Sequence, residues 1–277
     1  MVLVDVGNSR ATFCEVEKEW FEAASRAANG GCSDILKLTT PLLDEAKISH
    51  LKTKTLCEMV KSNSVFAKKI HFVSVNCEFN ETLKAAKNEQ FCDLAPRVKA
   101  AFGALASRYA GLGADRMAAC LGVKAAVVVD AGSAITADIV RDELSKSNLV
   151  LTTEVGEPQT KQRHLGGGIM PGFTALSEAF KAVSPKLDLP YNEEISLEEM
   201  PLNTQDAISF GALSAACGFV LSFAAKFEEL PLVFTGGNGE ILQNGFEKLL
   251  KTLNLSRELK FDGKLVFRGM LRSLLKD

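Results

Sequence analysis

Two aspartates, Asp5 and Asp130, each end a short apolar run and stand before a turn of small residues. Val-Gly-Asn-Ser follows the first and Ala-Gly-Ser follows the second, so that Gly7 and Gly132 take equivalent places. A further run suited to a strand comes after each turn, which predicts strand, turn and strand in both copies. Backbone N–H groups in such a turn can approach a phosphate, because glycine has no Cβ. One copy alone is also typical of an ordinary β-hairpin, but two copies predict two similar lobes that face each other across a nucleotide.

A third carboxylate, Asp115, is followed directly by Arg116. Gly111 and Gly113 make a flexible turn before this pair, and the residues after it are typical of a helix. The helix dipole favours an acidic residue at this place, so the pair could be a simple helix start with a surface arginine. It could equally be a carboxylate base beside an arginine that binds an anionic substrate.

Two more glycine-rich segments follow further along the chain. Residues 164–172 read His-Leu-Gly-Gly-Gly-Ile-Met-Pro-Gly and come before a predicted helix over 173–183. We predict a loop there, which is either a plain connection or a backbone that lies against a ligand or another chain. Residues 235–239 follow a short apolar strand at 231–234, and their glycines would let an adenine or ribose approach the backbone.

The elements that would position these segments alternate between strands and helices, which favours the α/β class. Residues 21–70 give few signals apart from an amphipathic helix at 51–60. Residues 141–163 are polar, and we predict a solvated loop or hairpin with a short strand at 149–153. Strands are predicted at 70–75, 91–95 and 265–267, and a short helix at 80–87.

Composition excludes several classes of protein. The chain has 277 residues, of which 47% are hydrophobic and 24% charged, so it can bury a large core. Its net charge of −2 gives no reason to expect nucleic acid or an anionic membrane surface. The seven cysteines form no Cys-x-x-Cys pair, which disfavours zinc and disulfide frameworks. The P-loop motif and the Rossmann Gly-x-Gly-x-x-Gly motif are both absent.

Residues 207–225 carry no charge and are long enough to span a bilayer. Their composition of Ala, Ser, Gly and Cys predicts instead a buried helix that packs closely with its neighbours. Met1 is followed at once by a predicted strand, so we expect no secretory signal and a cytoplasmic location.

The ordered series of short motifs resembles that of the type III pantothenate kinases. The motifs lie at 5–9, 113–116, 129–133, 167–172, 203–204 and 235–237. That family belongs to the actin/Hsp70/sugar-kinase superfold, which has two ribonuclease-H-like lobes around a central nucleotide cleft. The resemblance covers nearly the whole chain and implies an N-terminal lobe over 1–114 and a C-terminal lobe over 115–277.

The resemblance also implies an activity. Members of the family transfer a phosphoryl group from ATP to the primary hydroxyl of pantothenate, giving 4'-phosphopantothenate in the first step toward coenzyme A. They use Mg²⁺ and a monovalent cation, K⁺ or NH₄⁺, and they are homodimers with the substrate pocket near the subunit interface.

The family's functional residues match positions of this sequence. Asp115 would be the catalytic carboxylate, Asp5 would face Mg²⁺ and Asp130 would bind the monovalent cation. Thr12 departs from the family pattern, since many members have lysine there. The residues that would bind pantothenate are Tyr109, Gly113, Ala114, Asp115, Arg116 and Thr204. The residues that would bind ATP are Asp5, Val6, Gly7, Asn8, Ser9, Arg10, Ala11, Thr12 and Ser133.

Two alternatives stay open on the sequence. The protein could be a kinase of the same superfold that acts on another small alcohol. It could also be a non-catalytic regulator that binds a nucleotide, although the presence of Asp115 favours an enzyme.

Overall fold

The computed structural model describes residues 1–30, 34–62, 64, 66–144 and 160–275. They form two five-stranded sheets surrounded by helices. The first sheet has the order β3-β2-β1-β4-β5 and consists of β1 (Val2–Val6), β2 (Arg10–Glu15), β3 (Lys47–Lys52), β4 (Ile70–Ser74) and β5 (Phe91–Asp93). The second has the order β10-β9-β6-β7-β8 and consists of β6 (Ala126–Ala131), β7 (Ala134–Leu144), β8 (Thr160–Pro171), β9 (Leu232–Thr235) and β10 (Leu259–Phe261).

The two sheets have the same topology. In each, the first strand along the chain is central and pairs antiparallel with the second, which pairs antiparallel with the third. On its other side the first strand pairs parallel with the fourth, which pairs parallel with the fifth. This repeated order confirms the predicted α/β class with two ribonuclease-H-like lobes.

The helices flank the two sheets. They are α1 (Lys18–Asn29), α2 (Ile35–Asp44), α3 (Thr53–Lys61), α4 (Cys77–Ala86), α5 (Ala95–Gly103), α6 (Ala114–Leu121), α7 (Phe173–Val183), α8 (Thr204–Ala224), α9 (Gly239–Thr252) and α10 (Leu265–Leu275).

A shared apolar core joins the lobes. It contains Leu3 from the first sheet, Val128 from the second and Phe267 from α10. Helices α6 and α10 pack there at very short range. Gly269 of α10 permits this, because a Cβ at that position would overlap the carbonyl oxygen of Ala118 in α6. The start of α6, which carries Asp115, is therefore fixed at the junction of the lobes. The division of the chain at residue 114 stays a prediction.

Helix α8 is long and apolar enough to cross a membrane by length and composition alone. Its side chains Ala216, Cys217 and Val220 are fully buried and pack in one cluster with Val127 and Val129 of β6. Small residues along α8 permit this close approach, as the sequence predicts, and α8 is a core helix of the second lobe.

The predicted loop at 164–172 is wrong, because residues up to Pro171 belong to β8. Its glycines serve close packing, since a Cβ on Gly167 would overlap the Ala137 carbonyl of β7 and one on Gly168 would lie 2.9 Å from the Phe223 ring. The predicted strand at 265–267 is also wrong, because these residues begin α10. The predicted strand at 149–153 lies outside the described residues.

Candidate active site

Asp5 and Asp130 lie near the ends of the two central strands, β1 and β6, at equivalent places in the lobes. Burial, together with the charges of Asp115 and Asp130, raises the pKa of Asp5 from 3.8 to about 8. Burial and the charges of Asp115 and Asp138 raise the pKa of Asp130 to about 7. The structure thus brings Asp5, Asp115 and Asp130 within electrostatic reach of one another. The region between the lobes that holds these three aspartates is called the cleft.

Asp115 stands in the first turn of α6, and Gly113 is the residue before that helix. A carboxylate oxygen, Oδ1, accepts a hydrogen bond from the backbone N–H of Arg116 at 2.7 Å. Gly113 leaves room for this carboxylate, because a Cβ there would lie 2.5 Å from Oδ1. Burial raises the pKa of Asp115, whereas the N–H and the charge of Arg116 lower it. Arg116 therefore favours the ionised form, as expected, but burial has the larger effect.

The two small-residue turns meet at the mouth of the cleft. The hydroxyl oxygens of Ser9 and Ser133, one from each turn, lie 2.9 Å apart. The Gly7 N–H donates to the Arg10 carbonyl at 3.0 Å and thereby closes the first turn. The two repeated turns are therefore in direct contact between the lobes, and the nucleotide predicted to lie between the lobes stays a prediction.

Arg10 extends from the first lobe to the glycine turn that follows β9. A Cβ on Gly237 would overlap its guanidinium, and a Cβ on Gly236, whose φ is +86°, would overlap the Asp130 carboxylate. The charge of Arg10 lowers the pKa of Asp5. A cation and a bare backbone thus border the cleft next to the carboxylates, which is an arrangement suited to phosphates.

Thr12 and Thr204 lie at the edges of this region. The Thr12 hydroxyl is 3.2 Å from Nδ1 of His50 on β3. Thr204 is exposed in the first turn of α8, and within the described part of the chain its hydroxyl forms no hydrogen bond. Asn203 caps this helix by accepting the N–H of Asp206 at 2.9 Å. A role for Thr204 toward pantothenate stays a prediction.

Arg116 is buried and makes a two-point ion pair with Asp138 of β7. Its Nε donates to Oδ2 and its Nη2 to Oδ1, both at 2.8 Å. Its Cζ lies 5.2 Å from the centre of the Tyr109 ring. A cavity of about 490 Å³ adjoins this ring, and Arg108 and His164 are among its lining residues.

Asp138 and His164 were not predicted as site residues. A signal for Asp138 exists in the sequence, since it is a lone charge inside the β-branched run 135–140, and a buried charge needs a partner. Nothing in the sequence indicates that the partners are Arg116 and His164.

The carboxylates suit the cations that the family uses. Asp5, Asp115 and Asp130 offer oxygen ligands, which Mg²⁺ and K⁺ prefer. Burial is the main cause of the raised pKa of each aspartate, and the charge of Asp115 raises the pKa of Asp5 and Asp130 further. A bound cation would offset both effects.

The duplicated lobes, with three aspartates between them, have the architecture of the actin/Hsp70/sugar-kinase superfold. The family model for type III pantothenate kinases matches residues 1–145. A type III pantothenate kinase of Wolinella succinogenes is 30% identical over 274 residues, which is 99% of this chain and 96% of the relative. The chain belongs to the type III pantothenate kinase family and is a kinase.

Two further proteins match this chain over nearly its whole length. A type III pantothenate kinase of Campylobacter jejuni is 30% identical over 277 residues, covering 100% of this chain and 97% of the relative. A solved structure from Campylobacter jejuni, described as a Baf family transcriptional activator, matches with a TM-score of 0.59 and 28% identity. That match covers 99% of this chain and 97% of the other.

Proposed function

We propose that this chain transfers the γ-phosphoryl group of ATP to the primary hydroxyl of pantothenate, with Asp115 as the general base. The observation that carries the proposal is the meeting of Asp5, Asp115 and Asp130 beneath two equivalent turns, Ser9 touching Ser133. The hydroxyl oxygen attacks the γ-phosphorus, the bond to the β–γ bridging oxygen breaks, and ADP leaves. The proton of the hydroxyl passes to Asp115.

Positioning and electrostatics do most of the work in such a reaction, because the transition state is loose and its charge is spread over oxygens. The N–H groups of the turns at 5–12 and 130–133 would face the phosphates, and Arg10 would add a positive charge. Mg²⁺ at Asp5 and K⁺ or NH₄⁺ at Asp130 would supply neutralisation of the phosphate charge. Asp115 is held in the first turn of α6, from which its carboxylate would meet the hydroxyl.

The opposite end of pantothenate carries a carboxylate, which a buried arginine can recognise. Arg116 and Tyr109 would bind that end, next to the cavity lined by Arg108. Thr204 would complete the substrate site. The length and flexibility of pantothenate would then carry its hydroxyl to Asp115.

A homodimer belongs to the same proposal. Strand β8 is an edge of the second sheet and carries Leu165 and Ile169, which are 43% and 61% exposed. Val183 at the end of α7 and Leu202 before α8 are also largely exposed. Exposed apolar side chains around a sheet edge are typical of an interface, and a molar mass in solution twice that of one chain is expected.

A cytoplasmic location is supported by the six described cysteines, which are all free.

The function is tested by substrate profiling. The purified protein is incubated with ATP, Mg²⁺ and either pantothenate or a panel of sugars, with and without K⁺. ADP release that depends on pantothenate and on K⁺ is expected. ADP release with a sugar alone would favour a kinase for another alcohol, and no turnover with any acceptor would favour a non-catalytic nucleotide-binding regulator.

A first prediction concerns Arg10, which is proposed to bind the phosphates of ATP. The Arg10→Ala variant should raise KM for ATP by about 10-fold to 100-fold, as expected for one lost charge-assisted hydrogen bond to a phosphate. Its KM for pantothenate should change little, because pantothenate is bound near Arg116. Steady-state kinetics with each substrate varied in turn measure both values. Arg26→Ala, at an exposed arginine on α1, is the matched control; an unchanged KM for ATP in Arg10→Ala would remove Arg10 from the phosphate site.

A further inference from the structure

A buried chain of hydrogen bonds runs from Arg116 to the loop between α5 and α6. Asp138 accepts the two N–H groups of Arg116 at 2.8 Å, and its Oδ1 is also 3.0 Å from Nε2 of His164. Nδ1 of His164 lies 2.7 Å from the Ser107 hydroxyl. The side chains of Asp138 and His164 are 2% and 0% exposed. Four residues from α6, β7, β8 and the loop are thus joined in one network.

The outer end of this network holds Tyr109. The Ser107 hydroxyl accepts the backbone N–H of Tyr109 at 3.1 Å, so its own proton is free for Nδ1 of His164. Nε2–H of the imidazole then donates to Asp138. The His164 backbone N–H also donates to the Leu105 carbonyl at 3.0 Å, which ties the loop to β8 a second time.

This loop would not keep its shape by local preference alone. Ala106 has a φ of +47° and Gly111 a φ of +76°. The left-handed region is unfavourable for alanine, and such a conformation persists only when its surroundings hold it. The hydrogen bonds that His164 makes to Ser107 and Leu105, on either side of Ala106, provide that support.

Metal binding is the other chemistry that these residue types could perform. Ligand atoms of Cys120, Asp138 and His164 all lie within 4.8 Å of one another. However, both oxygens of Asp138 already accept hydrogen bonds from Arg116, and both nitrogens of His164 are engaged by Asp138 and Ser107. A metal would have to displace Arg116 and leave a buried, unpaired cation. The geometry therefore favours a network over a metal site.

From these contacts we infer that Asp138 and His164 are positioning residues for substrate recognition. Asp138 fixes the plane of the Arg116 guanidinium, and His164, through Ser107, holds the backbone of Tyr109, whose ring lies over that guanidinium. The group recognised is the carboxylate end of the substrate, so the inference rests on the proposed function. Neither residue touches the reacting atoms, and both act through Arg116 and Tyr109.

The test compares pantothenate with its alcohol analogue, in which a CH₂OH group replaces the carboxylate. The Asp138→Asn variant should raise KM for pantothenate by about 10-fold to 100-fold, because Arg116 loses a charged partner that sets its orientation. KM for ATP should stay within about threefold, because Arg116 is proposed to bind pantothenate and not ATP. The KM or inhibition constant of the alcohol analogue should also stay within about threefold, because the analogue has no carboxylate for Arg116 to bind.

A matched control exists elsewhere in the chain. Asp262 Oδ2 accepts both Nε and Nη2 of Arg268, at 3.1 and 3.0 Å, in an arginine–aspartate pair that is more exposed than Arg116–Asp138. Asp262→Asn should lower the melting temperature without changing the preference between the two ligands. Ser107→Ala removes the two hydrogen bonds of the Ser107 hydroxyl, to His164 and to the Tyr109 N–H, and leaves the Arg116–Asp138 pair intact. It keeps the test decisive if Asp138→Asn does not fold. A rise of about threefold to tenfold in KM for pantothenate is expected for it.

Three results would overturn the inference. One is an equal loss for pantothenate and the alcohol analogue in both variants. Another is an unchanged KM for pantothenate in Ser107→Ala and in a folded Asp138→Asn. The third is wild-type activity that a chelator removes and Zn²⁺ restores while Mg²⁺ is in excess, which would make Cys120, Asp138 and His164 a metal site. A wild-type protein that does not phosphorylate pantothenate at all would instead contradict the proposed function.

Discussion

Asp115→Asn should lower kcat for pantothenate phosphorylation by about 10²-fold to 10⁴-fold, the usual contribution of a positioned general base. Asparagine has nearly the same shape as aspartate but cannot accept the proton of the hydroxyl. The backbone N–H of Arg116, which now donates to Oδ1 of Asp115, can donate equally to the asparagine carbonyl. The start of α6 should therefore keep its conformation, and the KM for ATP should change little.

Single-turnover rates measure this effect, and the melting temperature of the variant verifies its fold. Because burial raises the pKa of Asp115, replacing the carboxylate should not lower stability at neutral pH. The Asp262→Asn variant, which alters a carboxylate paired with Arg268, is the matched control for activity. Full turnover in a folded Asp115→Asn protein would remove Asp115 from the mechanism.

Asp130→Asn should abolish activation by K⁺ and, without cations, should make the protein more stable at pH 8. The pKa of Asp130 is about 7 in the folded protein and 3.8 when fully solvated. The folded state therefore holds the proton more tightly, so that stability falls as pH rises from about 4 to about 7 and stays lower above that range. An amide has no charge to desolvate and avoids this loss.

Calorimetry with and without K⁺ at pH 5 and pH 8 tests both the K⁺ response and the change in stability of Asp130→Asn. In the wild type, K⁺ should raise the melting temperature at pH 8, and its apparent dissociation constant should rise about tenfold per pH unit below pH 7, since only the ionised carboxylate binds a cation. The variant should show neither effect. An unchanged K⁺ response in Asp130→Asn would place the monovalent cation elsewhere.

The cleft could be predicted from the sequence because its main parts are local. Asp5 and Asp130 each stand beside a small-residue turn, and the repeat of this pattern indicates two equivalent strand ends. Asp115 follows a glycine turn and precedes a helical run, which gives its place at the start of α6. Such signals depend on a few neighbouring residues and on the allowed conformations of glycine.

The support of the substrate site could not be predicted, because it depends on distant pairing. Asp138 meets Arg116 and His164 only after β7 and β8 have paired and α6 has packed on them. The glycines at 166–168 resemble a loop in sequence, but Gly167 and Gly168 serve the close contact of β8 with β7 and α8. The start of α10 is apolar enough to resemble a strand, and only its packing on α6 selects the helix.

The most direct measurement of the central claim is the identification of the product by mass spectrometry. Wild-type protein with ATP, Mg²⁺, K⁺ and pantothenate should form ADP and 4'-phosphopantothenate in equal amounts, and Asp115→Asn should form almost none of either in the same time. ATP hydrolysis without a phosphorylated product, or equal product from the Asp115→Asn protein, would contradict the proposal. That proposal is that Asp115, beside Asp5 and Asp130, activates the hydroxyl of pantothenate for phosphoryl transfer.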